Sequence, residues 1–339
     1  MTKRDLLRGA SLVAGVVVAV VLMVLPHRFE AIEVGLINQA AAFVIVIAGL
    51  NLLTGFGGLI SIGHGAFVGT GAYAAAWALN QGWSWPLSVF FAMAFSFALG
   101  FLVGIPALRI KGIYLALVTL AIAIVFPKLV VRLGAFTGGS GGKRVAAKFR
   151  APSWTGIEQD YVWQYYVIVV IAVLALFFAH NMVHSRMGRA VQAMAENETA
   201  AAISGVNIWQ TKTTLFGISA AYAGLGGSML VIRLPFVSVE SFDVFFSIQL
   251  YTAMVVGGLA TILGAIPAGI IIVFLPEVLA HLDIPVGTGV VYGASLVLLT
   301  FLSPSGLVGG VAKLISRLVG PIEPPRPKLE PEDAPAAPS

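Results

Sequence analysis

The chain of 339 residues is 58% hydrophobic and 10% charged, with a formal net charge of +5 and a mean hydropathy of +0.95. A soluble domain of this size needs far more charge to cover its surface, so composition places the chain in the membrane class. There is no cysteine, which excludes disulfides and thiol chemistry, and the basic residues end apolar runs rather than forming a nucleic-acid patch.

The N-terminal MTKRDLLRGASLVAGVVVAVVLMVLP is basic and then apolar, like a signal peptide. VLPHRFE offers no small-residue cleavage pattern, so a retained first span is expected. A bilayer core of about 30 Å needs about 20 helical residues. On that measure candidate spans fall near 7–25, 33–53, 57–79, 84–107, 112–132, 161–181, 212–233, 244–262, 264–280 and 286–303. Runs this continuous do not alternate as barrel strands do. The expected fold is an all-α polytopic integral membrane protein with about ten transmembrane or half-membrane helices and candidate inverted repeats.

With the N-terminus inside, the cytoplasmic segments carry Lys3, Arg4, Arg8, Arg109, Lys111, Arg186, Arg189, Lys212, Lys313, Arg317, Arg326 and Lys328. The external ones carry fewer: Arg28, Arg132, Lys143, Arg144, Lys148, Arg150 and Arg233. The bias favours cytoplasmic termini. Lys128, Asp243 and Glu277 fall near span ends, where charge reaches an interface at little cost. No midplane acid of the kind an ion-coupled carrier uses stands out.

Gly57-Gly58-Leu59-Ile60-Ser61-Ile62 and Gly257-Gly258-Leu259-Ala260-Thr261-Ile262 share the pattern GGLxxI. Paired glycine-interrupted segments in two halves point to a transport site between repeats. Polar residues within spans are Asn38, Gln39, Asn51, Ser61, His64, Thr119, Ser219, Gln249 and Thr252. Each taken alone suits a hydrogen bond between helices. Near the glycine breaks they are candidates for a translocation path, because irregular backbone at membrane depth lines cavities. The path candidates are Asn51, Gly57, Gly58, Ser61, His64, Thr119, Gln249, Thr252, Gly257 and Gly258.

TGGSGGKR (137–144) resembles a phosphate-binding loop, yet Thr137 stands at the first glycine position and Arg144 where Ser or Thr belongs. A flexible external glycine loop is expected instead, and no other segment offers a nucleotide, metal or cofactor site.

HSRMGRAVQAMAENETAAAISGV (184–206) carries two arginines and two glutamates. Burying four charges at about 2.5–3.5 kcal/mol each outweighs the few large apolar residues, at about 0.3–0.6 kcal/mol apiece. The segment therefore stays outside the bilayer as a helix, with Ala200–Ala202 continuing it and Gly205 ending it. A lipid-surface helix favours basic residues on its polar face. Balanced charge suits docking to a protein.

That segment resembles the cytoplasmic loop of ABC-importer permeases, whose pattern is Glu-Ala-Ala, three residues, then Gly. Here Ala200-Ala201 and Gly205 keep the spacing, and Thr199 displaces Glu198. With GLNLLTGFGGLISIGHGAFVGTGAYAA (49–75), LRIKGIYLALVTLA (108–121), TGGSGG (137–142) and VVGGLATILGAIPAG (255–269), the chain resembles the branched-chain amino-acid ABC transporter permease family, M-type (LivM-like). The resemblance implies a coupling helix at which Arg186, Gly188, Arg189, Glu196, Glu198, Ala200, Ala201 and Gly205 meet an ATPase. It also implies a prokaryotic plasma (inner) membrane, an H-type partner permease, two ATP-binding subunits and an extracytoplasmic solute-binding protein. Relatives within the family carry urea, short amides and other small molecules as well as branched-chain amino acids. The alternative on the residues alone is an autonomous secondary carrier or channel for a small polar solute. A membrane-embedded enzyme lacks the clustered carboxylates, histidines or thiols it would need.

The expected organisation is an N-terminal span and turn (1–32), a first transmembrane half (33–133) and the external glycine-rich basic loop (134–160). A second half (161–303) holds the cytoplasmic coupling loop 184–211. An amphipathic cytoplasmic helix (304–320) and a disordered Pro-rich tail (321–339) follow.

Overall fold

The computed structural model describes residues 22–107, 112–146, 149–155, 157, 159–280, 293–294, 297 and 306–310. Most of the expected spans 7–25 and 286–303 lies outside the described residues, as do the tail and most of the segment 304–320. The architecture is helical. In chain order the main helices are α1 (Ala31–Asn51), α2 (His64–Asn80), α3 (Trp85–Ala107), α4 (Ile113–Arg132) and α5 (Asp160–His184). Then come α6 (Arg186–Glu196), α7 (Glu198–Ile203), α8 (Ile208–Arg233), α9 (Val244–Gly257) and α10 (Ala265–Ala280). Two-residue strands β1 (Lys143–Arg144) and β2 (Phe236–Val237) pair antiparallel.

Six helices among the described residues are long and apolar enough to cross a membrane: Ala31–Phe56, Trp85–Pro106, Ile113–Arg132, Asp160–His184, Ile208–Arg233 and Ile262–Leu279. α2 and α9 are shorter. The expected span 57–79 begins as helix only at His64, and 244–262 stops at Gly257. In both cases apolar composition extended a run across backbone that is not helical. α1 instead runs on through a π-helical turn, Leu52–Phe56.

The centre of the bundle is α8, which packs chiefly on α3, α2 and α1. Small residues allow the close approach: a Cβ on Gly71 of α2 would stand 2.3 Å from the Gly224 Cα of α8. Without a hydrophobic drive between helices in lipid, such seams and interhelical hydrogen bonds carry association. Ser219 supplies one, donating to the Gly49 carbonyl at 2.8 Å. The outer faces of α4 and α5 expose Leu117, Ile124, Phe177 and Phe178, as lipid-facing helices do.

α8 separates two ends of the bundle. Its first turn meets α6 and α7; its last residue, Arg233, lies about 38 Å away at 1.5 Å per residue. The loop after α4 sits at that far end, where Val145 N–H donates to the Pro235 carbonyl at 2.8 Å. The glycine loop is therefore not slack. Thr137 Oγ1 donates to the Val130 carbonyl at 2.6 Å, and Lys143 Nζ donates to that of Phe136 at 2.6 Å. Trp77, Trp83, Phe91 and Phe136 pack together beside it, an aromatic cluster of the kind found at membrane interfaces.

Candidate functional site

At the near end, α6 starts where Ser185 accepts a hydrogen bond from the Gly188 N–H at 3.3 Å. α6 buries Val191 and Met194, while Arg186, Arg189 and Glu196 are exposed. Gly188 is buried because its backbone passes close to α5; a Cβ there would stand 2.0 Å from the Val183 carbonyl oxygen. The expected single helix is broken at Asn197. Its φ of −157° is extended, and its side chain accepts from the Thr199 and Ala200 N–H groups at 3.0 Å each. An asparagine that caps a new helix competes with continuing the old one. α7 then ends at Gly205 (φ +86°), with Gly205 N–H to Ala202 and Val206 N–H to Ala201, each at 3.0 Å. This is a Schellman stop. Ala201 is buried, Ala200 and Gly205 are exposed, and Ile203 at the tip is 83% exposed.

Glu198 is only partly exposed and forms an ion pair with Lys212, which is 1% exposed in the first turns of α8. Sequence reasoning assigned Lys212 to the cytoplasmic end of a span and saw no partner for it. The signal available was a lysine at the head of an apolar helix fourteen positions after a glutamate. Ile203 and Trp209, which is 48% exposed, were also missed. Hydropathy does not separate an exposed apolar side chain from a buried one.

The first glycine break lies directly against this segment. Gly58 (φ +65°) would bring a Cβ within 3.5 Å of the Ala195 Cβ on α6. The turn is closed by Thr54 Oγ1 donating to the Leu59 carbonyl at 3.1 Å. Gly57 packs on Leu215 of α8. Further on, Ile62 N–H donates to Thr119 Oγ1 at 3.0 Å, and the same hydroxyl donates to the Ala116 carbonyl.

The two glycine breaks, about 200 positions apart in the chain, meet through Asn51. Its amide donates to the carbonyls of Gly258 (3.0 Å) and Thr261 (2.8 Å), and its carbonyl accepts from Ala260 N–H (2.9 Å). Asn51 is fully buried and spends its side chain on backbone. Gly257 packs on the Gly264 carbonyl. Ser61 and His64 are fully buried, and neither the Ser61 hydroxyl nor the His64 ring nitrogens make a hydrogen bond of good geometry. Thr252 donates back to the Ile248 carbonyl. Asn51, Ser61, His64, Thr119 and the four glycines thus gather around the breaks. Gln249 and Thr252 lie higher on α9, and Gln249 faces a different cavity.

That cavity, of about 310 Å³, lies towards the far end and is lined by Gln39, Phe43, Arg233, Phe242, Phe246 and Gln249 among others. A larger one of about 740 Å³ is lined by Trp83, Arg144, Arg150, Asp160 and again Arg233. Among the described residues no group of three or more His, Cys, Asp or Glu side chains is placed to hold a metal. Asp243 caps α9, accepting from Phe246 N–H at 2.8 Å, and Lys128 and Glu277 are exposed.

Residues 32–300 match the family described as branched-chain amino acid transport system / permease component. The chain is 29% identical, over 81% of its length and 70% of the relative's, to the high-affinity branched-chain amino acid transport system permease protein LivM of Salmonella typhimurium. It is 30% identical to LivM of Escherichia coli over 78% of this chain and 67% of that one. Over 44% of its length it is 31% identical to the permease LivH of Escherichia coli, covering 47% of that protein. No solved structure matches.

Proposed function

The chain belongs to the family of branched-chain amino acid transport permease components, and from that premise we propose that it is one transmembrane half of an ATP-driven importer. As a multi-pass membrane permease it would form half of the translocation path for branched-chain amino acids or similar small amino acids and amides. Its relatives are named for branched-chain amino acid transport. The partners of this reading are a second, H-type permease, two ATP-binding subunits and an extracytoplasmic solute-binding protein. The end bearing α6 and α7 would be cytoplasmic, and both termini with it.

The observation that carries the reading is the α6–α7 segment. It presents Arg186, Arg189, Glu196, Ala200 and the exposed Ile203, and it is tied inward at two points, Glu198 to Lys212 and Ala195 to Gly58. A displacement of α6–α7 by a docked ATPase is passed to α8 through the ion pair and to the first glycine break through the Ala195 contact. Asn51 then carries it to the second break. Such a step requires that the two packed breaks take a second, discrete arrangement. In this scheme Gly188 and Ala201 hold the segment's shape from inside, while the exposed residues make the contact.

The test is reconstitution of the transporter with all of these partners in proteoliposomes. Glu196→Lys and Ile203→Asp, both on the exposed face, should lower leucine uptake per ATP hydrolysed at least tenfold while the permease still assembles. Unchanged coupling in both variants sinks the docking assignment. Leucine flux from this chain alone, driven by a gradient, would replace the reading with a secondary carrier.

A further inference from the structure

Resting on the transport reading, we propose that Arg233 and Gln39 form a receptor for the carboxylate of a small zwitterionic solute with an apolar side chain, at the bundle end opposite α6 and α7.

Arg233 closes α8, is half-buried, and donates from Nη1 to Gln39 Oε1 at 2.9 Å. That bond occupies one of the five N–H donors of a guanidinium. Among the described residues no carboxylate lies within ion-pair distance of it. A partly desolvated cation with unspent donors and no counter-charge is costly unless an anion completes it. The planar fork of arginine suits a carboxylate better than any other side chain does. Gly35, one turn before Gln39, makes the placement possible: a Cβ there would stand 3.3 Å from both Nε and Nη2. The guanidinium therefore lies along α1 between Gly35 and Gln39.

The cavity it lines has the size and lining to take the rest of such a ligand. Gln39 and Gln249 supply amides, and Phe43, Phe242 and Phe246 an apolar wall, around about 310 Å³. This is the low end of small-molecule sites, the scale of a free amino acid. Few polar groups on an apolar wall is the usual division between orientation and affinity. The second cavity touching Arg233 adds Arg144 and Arg150, and its Asp160 already accepts from the Ala151 N–H at 3.0 Å. Two further arginines at an approach concentrate anionic groups there.

The experiment uses the full chain in phosphatidylcholine nanodiscs, with binding followed by tryptophan fluorescence and calorimetry. The probes are L-leucine, L-leucinamide, which lacks the carboxylate, and 4-methylpentanoate, which lacks the amine. Leucine and 4-methylpentanoate should bind, leucinamide at least tenfold more weakly. Arg233→Gln should weaken both carboxylates at least tenfold and Arg233→Lys less. Equal binding of leucine and leucinamide by the unmodified chain overturns the proposal without reference to any variant. Displacement of the carboxylates by phosphatidylglycerol marks a lipid headgroup site and also overturns it. Leucine uptake by the assembled transporter separates the two readings. Normal uptake with an unchanged KM in Arg233→Gln removes the receptor and leaves the importer. Carboxylate binding that depends on Arg233, in a chain whose transporter moves no leucine, leaves the receptor and removes the substrate.

Discussion

Asn51 and Ala260 stand 209 positions apart and are joined by a 2.9 Å hydrogen bond from the Ala260 N–H to the Asn51 carbonyl oxygen. Ala260 is also the one non-glycine residue among those described with a positive φ, +54°. One side chain thus holds a strained turn that its own backbone would not favour. Asn51→Leu keeps the volume but takes the acceptor from the Ala260 N–H, at about 1–3 kcal/mol; the Gly258 and Thr261 carbonyls keep their bonds from Thr261 Oγ1 and the Gly264 N–H. The expected outcome is a lower apparent melting temperature in detergent and a loss of uptake as the two breaks part. Ala260→Gly should raise that temperature slightly, worth about 0.5–1 kcal/mol, because glycine adopts this φ freely.

The Glu198–Lys212 pair predicts an asymmetric cycle. Glu198→Gln strands a buried ammonium and should cost about 3–5 kcal/mol, whereas Lys212→Met removes the buried charge and leaves a carboxylate that is itself partly exposed. The double variant should be more stable than Glu198→Gln alone. Thermal unfolding of the four proteins measures this. Additive effects would show that the two side chains do not depend on each other.

Gly205 offers a cleaner backbone test. Nothing lies within 4 Å of where its Cβ would be, so Gly205→Ala costs only the left-handed conformation, about 1 kcal/mol. Gly205→Asn should recover part of it. Protease cleavage between α7 and α8 should rise in Gly205→Ala and fall back in Gly205→Asn.

At the far end, Gly142 has φ +71°, and a Cβ there would stand 2.6 Å from the Val237 carbonyl oxygen. Gly142→Ala should separate β1 from β2 and speed amide exchange of Val145, which donates to Pro235. Leucine uptake should fall with it if the strand pair roofs the solute's approach to Arg233.

Much of this was legible in the residues. Apolar runs located α1, α3, α4, α5, α8 and α10, and Asp243 and Gly205 serve as the terminators their types suggest. The family was legible from the five blocks taken together. Three things were not. GGLISIG reads as membrane-spanning because hydropathy is blind to φ, yet Gly58 takes a positive φ and ends the helix there. ENETAAA reads as continuous helix because alanine suits both sides of the break, and only Asn197 itself marks it. The links Asn51–Ala260 and Glu198–Lys212 join polar groups whose pairing depends on tertiary packing, which no local pattern encodes. Arg233 reads from the sequence only as the basic outer end of a span; its bond to Gln39 joins residues 194 positions apart.

α8 is one unbroken helix of 26 residues, from Ile208 to Arg233. It is held at its foot by Glu198 and pressed at mid-length against Gly71 through Gly224. In the proposed importer it would act as a rigid lever about that contact. At 1.5 Å per residue, a tilt of about 10° about Gly224 swings Lys212 by about 3 Å and Arg233 by about 2 Å in the opposite sense. In the importer proposed above, work done at the α6–α7 end would arrive at the guanidinium with its direction reversed, without any part of the chain between them having to unfold.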